Sequence, residues 1–88
     1  MNVLNRGNIM NVMRAKMVVN SVTKYDGYET LKMDAVGKNE SYPEDGSDDD
    51  NTYAKFTPAA SLEMHINNPK LHGSFLPGQK YYLDFTKA

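Results

Sequence analysis

The residues with the clearest chemical potential form an acidic run between Gly37 and Thr52, which we call the acidic loop. Carboxylate oxygens suit Ca²⁺, but an EF-hand loop needs acids at alternate positions, Gly at the sixth and Glu at the twelfth. Here Gly46 directly follows Asp45 and no Glu closes the run, so the sequence predicts neither a calcium site nor any other cofactor. Runs of charge are usually solvated, and the alternative is that the acids bind a basic surface on a partner protein. The candidate residues for that protein contact are Glu44, Asp45, Asp48, Asp49 and Asp50.

Residues that carry catalysis or bind metals are sparse. The chain has no cysteine, which excludes disulfides and thiolate metal sites. His65 and His72 share no ligand spacing with a second metal-binding residue, and the serines lack the context of a nucleophile elbow. The sequence therefore predicts that the protein is not an enzyme.

Tyrosines and lysines along the predicted strands suggest a second kind of binding. Single strands of nucleic acid bind by stacking bases on exposed aromatic rings over a basic groove. The whole chain has a net charge of −1, which argues against this, but the residues outside the acidic loop carry nine Lys and Arg against five Asp and Glu. The candidate residues for nucleic-acid binding are Lys24, Tyr28, Lys32, Lys55, Lys80 and Tyr82.

The first half of the chain predicts a β-hairpin. Ala15–Tyr25 is rich in Val and Thr, and its apolar residues change face around Asn20, which predicts one long, bent strand. Asp26 and Gly27 then predict a two-residue type I′ turn. The partner strand is Tyr28–Val36, whose residues alternate between an apolar and a polar face.

The second half predicts shorter elements. A short strand is expected at Tyr53–Phe56, and strict alternation favours a strand over a helix at Ala59–Asn67. Lys70–Ser74 is consistent with one helical turn, Leu76–Gln79 predicts a type II turn, and Lys80–Thr86 predicts the last strand.

These elements predict an all-β fold, either a small antiparallel five-stranded barrel of OB type or a compact sandwich, with at most one short helical turn. The barrel is favoured because so short a chain gains from closing its sheet edges. We expect a single β domain at 13–88 with a mobile acidic loop at 37–52, preceded by a flexible tail at 1–12. Met10 in this tail and Met13 just after it are both candidates for the natural start of the protein. The predicted core is Met17, Val19, Val22, Leu31, Met33, Ala35, Phe56, Leu62, Met64, Ile66, Tyr81, Leu83 and Phe85.

Three blocks of sequence stand out, at 15–23, at 56–69 and at 75–86, where Pro77 and Gly78 precede an aromatic strand that ends in Asp84, Phe85 and Thr86. Together they resemble a family of small uncharacterised proteins encoded by tailed bacteriophages. The resemblance covers about residues 13–88. It implies expression in the cytoplasm of a bacterial host, and it implies no activity and no functional residues.

The sequence therefore predicts a small, non-catalytic, phage-encoded binding protein that acts on a host or phage macromolecule. One alternative is an OB-like protein that binds single-stranded nucleic acid, and another is a small structural or decoration protein of the virion. The expected partner is a protein, with single-stranded nucleic acid as the alternative. No apolar run approaches the roughly 20 residues of a membrane span, so no membrane partner is expected, and a homo-oligomer is left open.

Overall fold

The computed structural model describes residues 11–88. The predicted tail at 1–12 therefore lies almost entirely outside the described residues, and so does the candidate start at Met10. Val12 stands immediately before the first strand and donates its backbone N–H to Phe85 O at 2.7 Å.

The fold is one four-stranded antiparallel sheet with almost no helix. The strands are β1 (Met13–Tyr25), β2 (Tyr28–Ala35), β3 (Ser61–Ile66) and β4 (Lys80–Phe85), and a 3-10 turn occupies Pro69–Leu71. Their spatial order is β3-β2-β1-β4, the order of a Greek key. The all-β prediction is confirmed, as is the strand predicted at Ala59–Asn67, which spans Ser61–Ile66. The predicted helical turn forms at Pro69–Leu71 and not at Lys70–Ser74. Within residues 11–88, no helix is long and apolar enough to cross a membrane.

The bend predicted in the first strand is a β-bulge. Val19 pairs with Met33 and Val22 pairs with Leu31, so the register of β1 against β2 shifts by one residue around Asn20. A bulge places one extra residue in one strand. As a result Val19 and Val22, which have opposite parity in the sequence, lie on the same face of the sheet.

The hairpin turn at Asp26 and Gly27 forms where it was predicted but belongs to another type. Tyr25 pairs with Tyr28, and Gly27 has a φ of 88°. Phe56 is the only residue other than glycine with positive φ in the part of the chain that the structure describes, so Asp26 has negative φ. This order of signs belongs to a type II turn, whereas type I′ needs positive φ at both central residues. The type I′ prediction is wrong.

Residues 67–79, which we call the crossover, join strands at opposite edges of the sheet and therefore cross one of its faces. Gly73 donates its N–H to the carboxylate of Glu29, at 3.1 and 3.4 Å from its two oxygens, and Glu29 is only 2 % exposed. The predicted type II turn at Leu76–Gln79 follows, in which Gln79 donates its N–H to Leu76 O at 3.2 Å and Gly78 has a φ of 91°. Gly78 also donates its N–H to Val19 O at 2.9 Å, and β4 begins two residues later.

The two faces of the sheet differ sharply in polarity. Strand register places the apolar side chains on one side, which we call the apolar face, and the crossover lies over it. Tyr53 from the loop before β3 and Phe75 from the crossover pack against its buried residues. We call the opposite side the polar face. The buried core consists of Ala15, Met17, Val19, Leu31, Met33 and Ile66.

The closed five-stranded barrel and the sandwich are both wrong. No strand forms at Tyr53–Phe56, because Ala54 donates its N–H to Asn51 O in a turn and Phe56 adopts a φ of 61°. The remaining four strands form a single open sheet. Phe56 is consequently 50 % exposed and lies outside the core, and Met64 and Phe85 lie on the apolar face but stay about half exposed.

We expect the core to be concentrated in the middle of the apolar face. Leu31→Ala should lower the free energy of unfolding by about 2 to 5 kcal/mol, because Leu31 is 2 % exposed and its truncation leaves a cavity. Leu76→Ala is the matched control, since Leu76 is 56 % exposed and should change stability by less than about 0.5 kcal/mol. Urea melts of the two variants measure the difference. Equal losses of stability would contradict this assignment of the core.

Candidate functional site

The acidic loop is attached to the sheet by the side chain of Asn51, which is fully buried. Asn51 Oδ1 accepts the backbone N–H of Lys16 at 2.9 Å, and Asn51 Nδ2 donates to Val36 O at 2.9 Å. The next residue, Thr52, donates its N–H to Arg14 O at 3.0 Å and accepts the N–H of Arg14 at its hydroxyl at 2.9 Å. Residues 51 and 52 thus form hydrogen bonds with the first part of β1, along the edge of β1 that β2 is too short to reach.

Asp48 holds Asn51 in place. Its carboxylate accepts the N–H groups of Asp50 at 2.9 Å, Asn51 at 3.2 Å and Lys38 at 3.3 Å, and it accepts Asn51 Nδ2 at 3.1 Å. Burial alone favours the neutral acid, but these hydrogen bonds outweigh it and hold the pKa of Asp48 below its usual 3.8. Asp48, a predicted protein-binding residue, is 3 % exposed and has its carboxylate engaged inside the protein.

Aromatic residues pack the rest of the loop. Phe56 lies edge-on to Tyr42 with ring centroids 5.8 Å apart, and a Cβ atom added to Gly46 would lie 2.5 Å from the Phe56 ring. Burial, with Asp48 nearby, raises the pKa of Tyr53, whose hydroxyl finds no hydrogen-bond partner among the described residues. Mobility, the property predicted for residues 37–52, stays a prediction.

Asp50 links the acidic loop to the polar face of the sheet. It accepts the hydroxyl of Tyr82 at 2.9 Å and lies 3.3 Å from Lys16 Nζ. The hydrogen bond to Asp50 raises the pKa of Tyr82. Asp48 and Asp50, both predicted acidic contact residues, therefore already have side-chain partners within the protein.

The other three acids, Glu44, Asp45 and Asp49, are exposed. Asp45 accepts the N–H of Ser47 at 3.1 Å, and this local hydrogen bond lowers the pKa of Asp45. Whether these three residues contact a basic partner stays a prediction.

Arg14 and Asp84 form the shortest ion pair among the described residues of the polar face. Arg14 Nε lies 2.7 Å from Asp84 Oδ1, and Arg14 Nη2 donates to Asp84 Oδ2 at 3.0 Å. This paired hydrogen bond raises the pKa of Arg14 and lowers that of Asp84. The guanidinium also lies 4.3 Å from the centroid of the Tyr82 ring, so one face of that ring is covered.

Three aromatic rings stack across the polar face near the hairpin. The centroids of Tyr25 and Tyr28 are 4.9 Å apart, and those of Tyr28 and His65 are 5.4 Å apart. Tyr28 stacks against a ring on each side, so a base could stack only on the outer faces of Tyr25 or His65.

The structure brings four of the six predicted nucleic-acid-binding residues to the polar face: Tyr28, Lys32, Lys80 and Tyr82. Lys24 points to the apolar face and lies 3.6 Å from Glu29, and Lys55 lies in the loop before β3. Lys32 lies 3.9 Å from Glu63. The predicted set therefore does not form one continuous basic surface.

The apolar face also carries a groove of about 260 Å³ that the sequence did not predict. Met64, 49 % exposed, stands at one end of it on β3, and Phe75 of the crossover forms part of its wall. The lining residues are Leu31, Met33, Leu62, Met64, Phe75, Tyr81, Tyr82 and Leu83.

No similarity to a known protein indicates the role of this site. None of the protein-family models, curated proteins or solved structures compared with the chain matches it. Among residues 11–88, no group of three or more His, Asp or Glu side chains is arranged to hold a metal ion. His72 Nε2 instead lies 2.9 Å from Ile66 O.

The role of Asp48 predicts how stability depends on pH. Because the folded-state pKa of Asp48 is depressed, its contribution is present above the ordinary pKa and is lost as the pH falls through the folded value. Asp48→Asn should lower the free energy of unfolding by about 1 to 3 kcal/mol at pH 7. As the pH is lowered from about 5 to 2, the free energy of unfolding of Asp48→Asn should fall less than that of the parent protein.

Asp49→Asn provides the control for this pH dependence, because Asp49 is the exposed neighbour of Asp48. It should keep both the stability and the pH dependence of the parent. Denaturant melts at a series of pH values make the comparison, and identical pH profiles for the parent and Asp48→Asn would rule out the structural role of this carboxylate.

Proposed function

We propose that the chain is a small non-catalytic protein-binding module and that an apolar segment of a partner protein occupies the groove on its apolar face. The phage origin and the bacterial cytoplasm implied by the sequence resemblance belong to this proposal. The observation that carries it is the groove itself, an open and almost wholly apolar surface between β3, the crossover and β4.

The groove has the chemistry of a protein contact. Apolar surface that stays open to solvent can contact a partner, because burying it in a complex is favourable. Met33 and Met64 both line the groove, and the flexible, polarisable side chain of methionine adapts to differently shaped partners. Met64 is 49 % exposed and can therefore contact a partner without any rearrangement of the core.

The polar face supports nucleic-acid binding less well. Three of its cations already lie near carboxylates, namely Arg14 near Asp84, Lys16 near Asp50 and Lys32 near Glu63. Phosphates would have to compete with these carboxylates, since binding to a nucleic-acid backbone depends on free positive charge. The stacking of Tyr28 between two other rings removes a further binding surface.

The first experiment identifies the partner. The tagged chain is used to capture proteins from infected cells with and without nuclease treatment, and the captured proteins are identified by mass spectrometry. A candidate partner is then purified and titrated against the tagged chain. Purified virus particles are probed for the chain in parallel, because the alternative of a virion component predicts that it is found there.

Met64→Gln should weaken binding of the purified partner at least about fivefold, because a polar amide replaces an apolar contact at the end of the groove. Met13→Gln is the matched control, since Met13 lies on the apolar face at the start of β1 and does not line the groove. We expect the control to keep the parent affinity in isothermal titration calorimetry.

Two results would overturn the proposal. One is equal affinity of the parent and Met64→Gln for the purified partner. The other is tight binding of a single-stranded oligonucleotide that weakens steeply with salt and falls when Tyr25 is replaced by Ala, which would transfer the function to the polar face.

A further inference from the structure

The outer edge of β3 has backbone groups without partners among residues 11–88. Ala35 donates its N–H to Ala60 O at 2.9 Å, and the pairing of β2 with β3 continues in the same register through Leu62, Met64 and Ile66. Backbone groups of successive residues in an antiparallel strand point alternately to its two sides. The N–H and C=O groups of Glu63 and His65 therefore point away from β2.

This edge lacks most of the features that protect an exposed strand. Natural edge strands are kept short or are blocked by proline, charged side chains (lysine above all), bulges or covering segments. β3 has six residues, contains no proline and no lysine, has Glu63 as its one carboxylate, and pairs with β2 without a register shift. The other edge, β4, begins with Lys80, and its Tyr82 and Asp84 side chains are held by Asp50 and Arg14.

We propose that two copies of the chain pair through their β3 edges, antiparallel about a two-fold axis at Met64, and form one continuous sheet. In this register Glu63 lies opposite the partner subunit's His65, and His65 lies opposite the partner subunit's Glu63. Each pair exchanges two backbone hydrogen bonds, because the outward-pointing groups of β3 are those of residues 63 and 65. The interface has the same patch on both copies, as a two-fold axis requires.

Side-chain pairing selects this register from its neighbours. A shift by two residues in one direction brings Glu63 opposite the partner subunit's Glu63, and the opposite shift brings His65 opposite the partner subunit's His65. Two carboxylates directly opposite each other destabilise a strand pair, whereas an imidazole N–H opposite a carboxylate can donate a hydrogen bond to it. Glu63 and His65 already lie 3.5 Å apart within one chain, which shows that the two groups are compatible as neighbours.

The apolar face fits the same register. Leu62 lies opposite the partner subunit's Ile66, and Met64 lies opposite the partner subunit's Met64. The exposed Met64 side chain is then covered by its own copy beside the axis, and the two grooves meet there. This contact is argued from the strand edge and not from the groove, although the two surfaces share Met64.

The purified full-length chain should sediment with about twice its mass of 9.9 kDa at micromolar concentrations. Glu63→Pro removes an outward-pointing N–H without removing a hydrogen bond to β2, so it should raise the dimer dissociation constant at least about tenfold. Lys80→Pro makes the same change at the opposite edge of the sheet and should leave the dissociation constant unchanged. A chain that is monomeric at all concentrations, or equal effects of the two prolines, would overturn the proposal.

Charge exchange tests the register without disturbing the backbone. His65→Glu places two carboxylates opposite each other and should weaken the dimer about fivefold. Adding Glu63→His to that variant restores opposite partners at both positions and should return the dissociation constant to the parent value. Failure of the double variant to recover would exclude this register. Circular dichroism of each variant verifies that the sheet is intact, and the affinity for the purified groove partner is measured separately.

Discussion

The buried side chain of Asn51 is the contact on which the architecture depends most. β1 extends beyond the end of β2, so the backbone groups of Arg14 and Lys16 on that side need another partner. Asn51 and Thr52 supply it, and Asp48 holds Asn51 in the necessary orientation. An unpaired backbone group in a buried position costs about as much as a lost hydrogen bond, so this loop completes the sheet. The negative charge of the loop thus includes the carboxylates of Asp48 and Asp50, which bond to other side chains within the protein.

The single-layer sheet divides the molecule into surfaces with different chemistry. On the polar face, many charged and aromatic side chains have partners in ion pairs and ring stacks. On the apolar face, the crossover and Tyr53 cover only part of the surface. A chain of this length has few residues with which to cover both sides of a sheet. Part of the apolar face therefore stays uncovered, and this part includes the groove and the half-exposed Met64. The incomplete covering of the apolar face therefore provides the candidate contact surface.

Local pattern predicted the elements well, because alternation is a property of neighbouring residues. The strand at β3, the bend at Asn20 and the turn before β4 all follow from short-range chemistry. The closed barrel was wrong because it depended on Tyr53–Phe56 as a strand, and the Asn51 turn and the left-handed Phe56 prevent that strand. The groove and the burial of Asp48 could not be predicted, since both arise from residues far apart in the sequence. An Asp three residues before an Asn was the only signal of this turn.

The crossover also determines the order in which the sheet can assemble. β1 and β2 are joined by a two-residue turn and can pair within microseconds, as hairpins do. β4 pairs with β1 only after closing a loop that spans most of the chain, which costs more entropy. We therefore expect β4 to join a preformed ribbon late and to be the first strand to detach. A strand that arrives last and leaves first can be exchanged for the same strand of a neighbouring molecule, so the long return of the chain provides a route to domain swapping at high concentration.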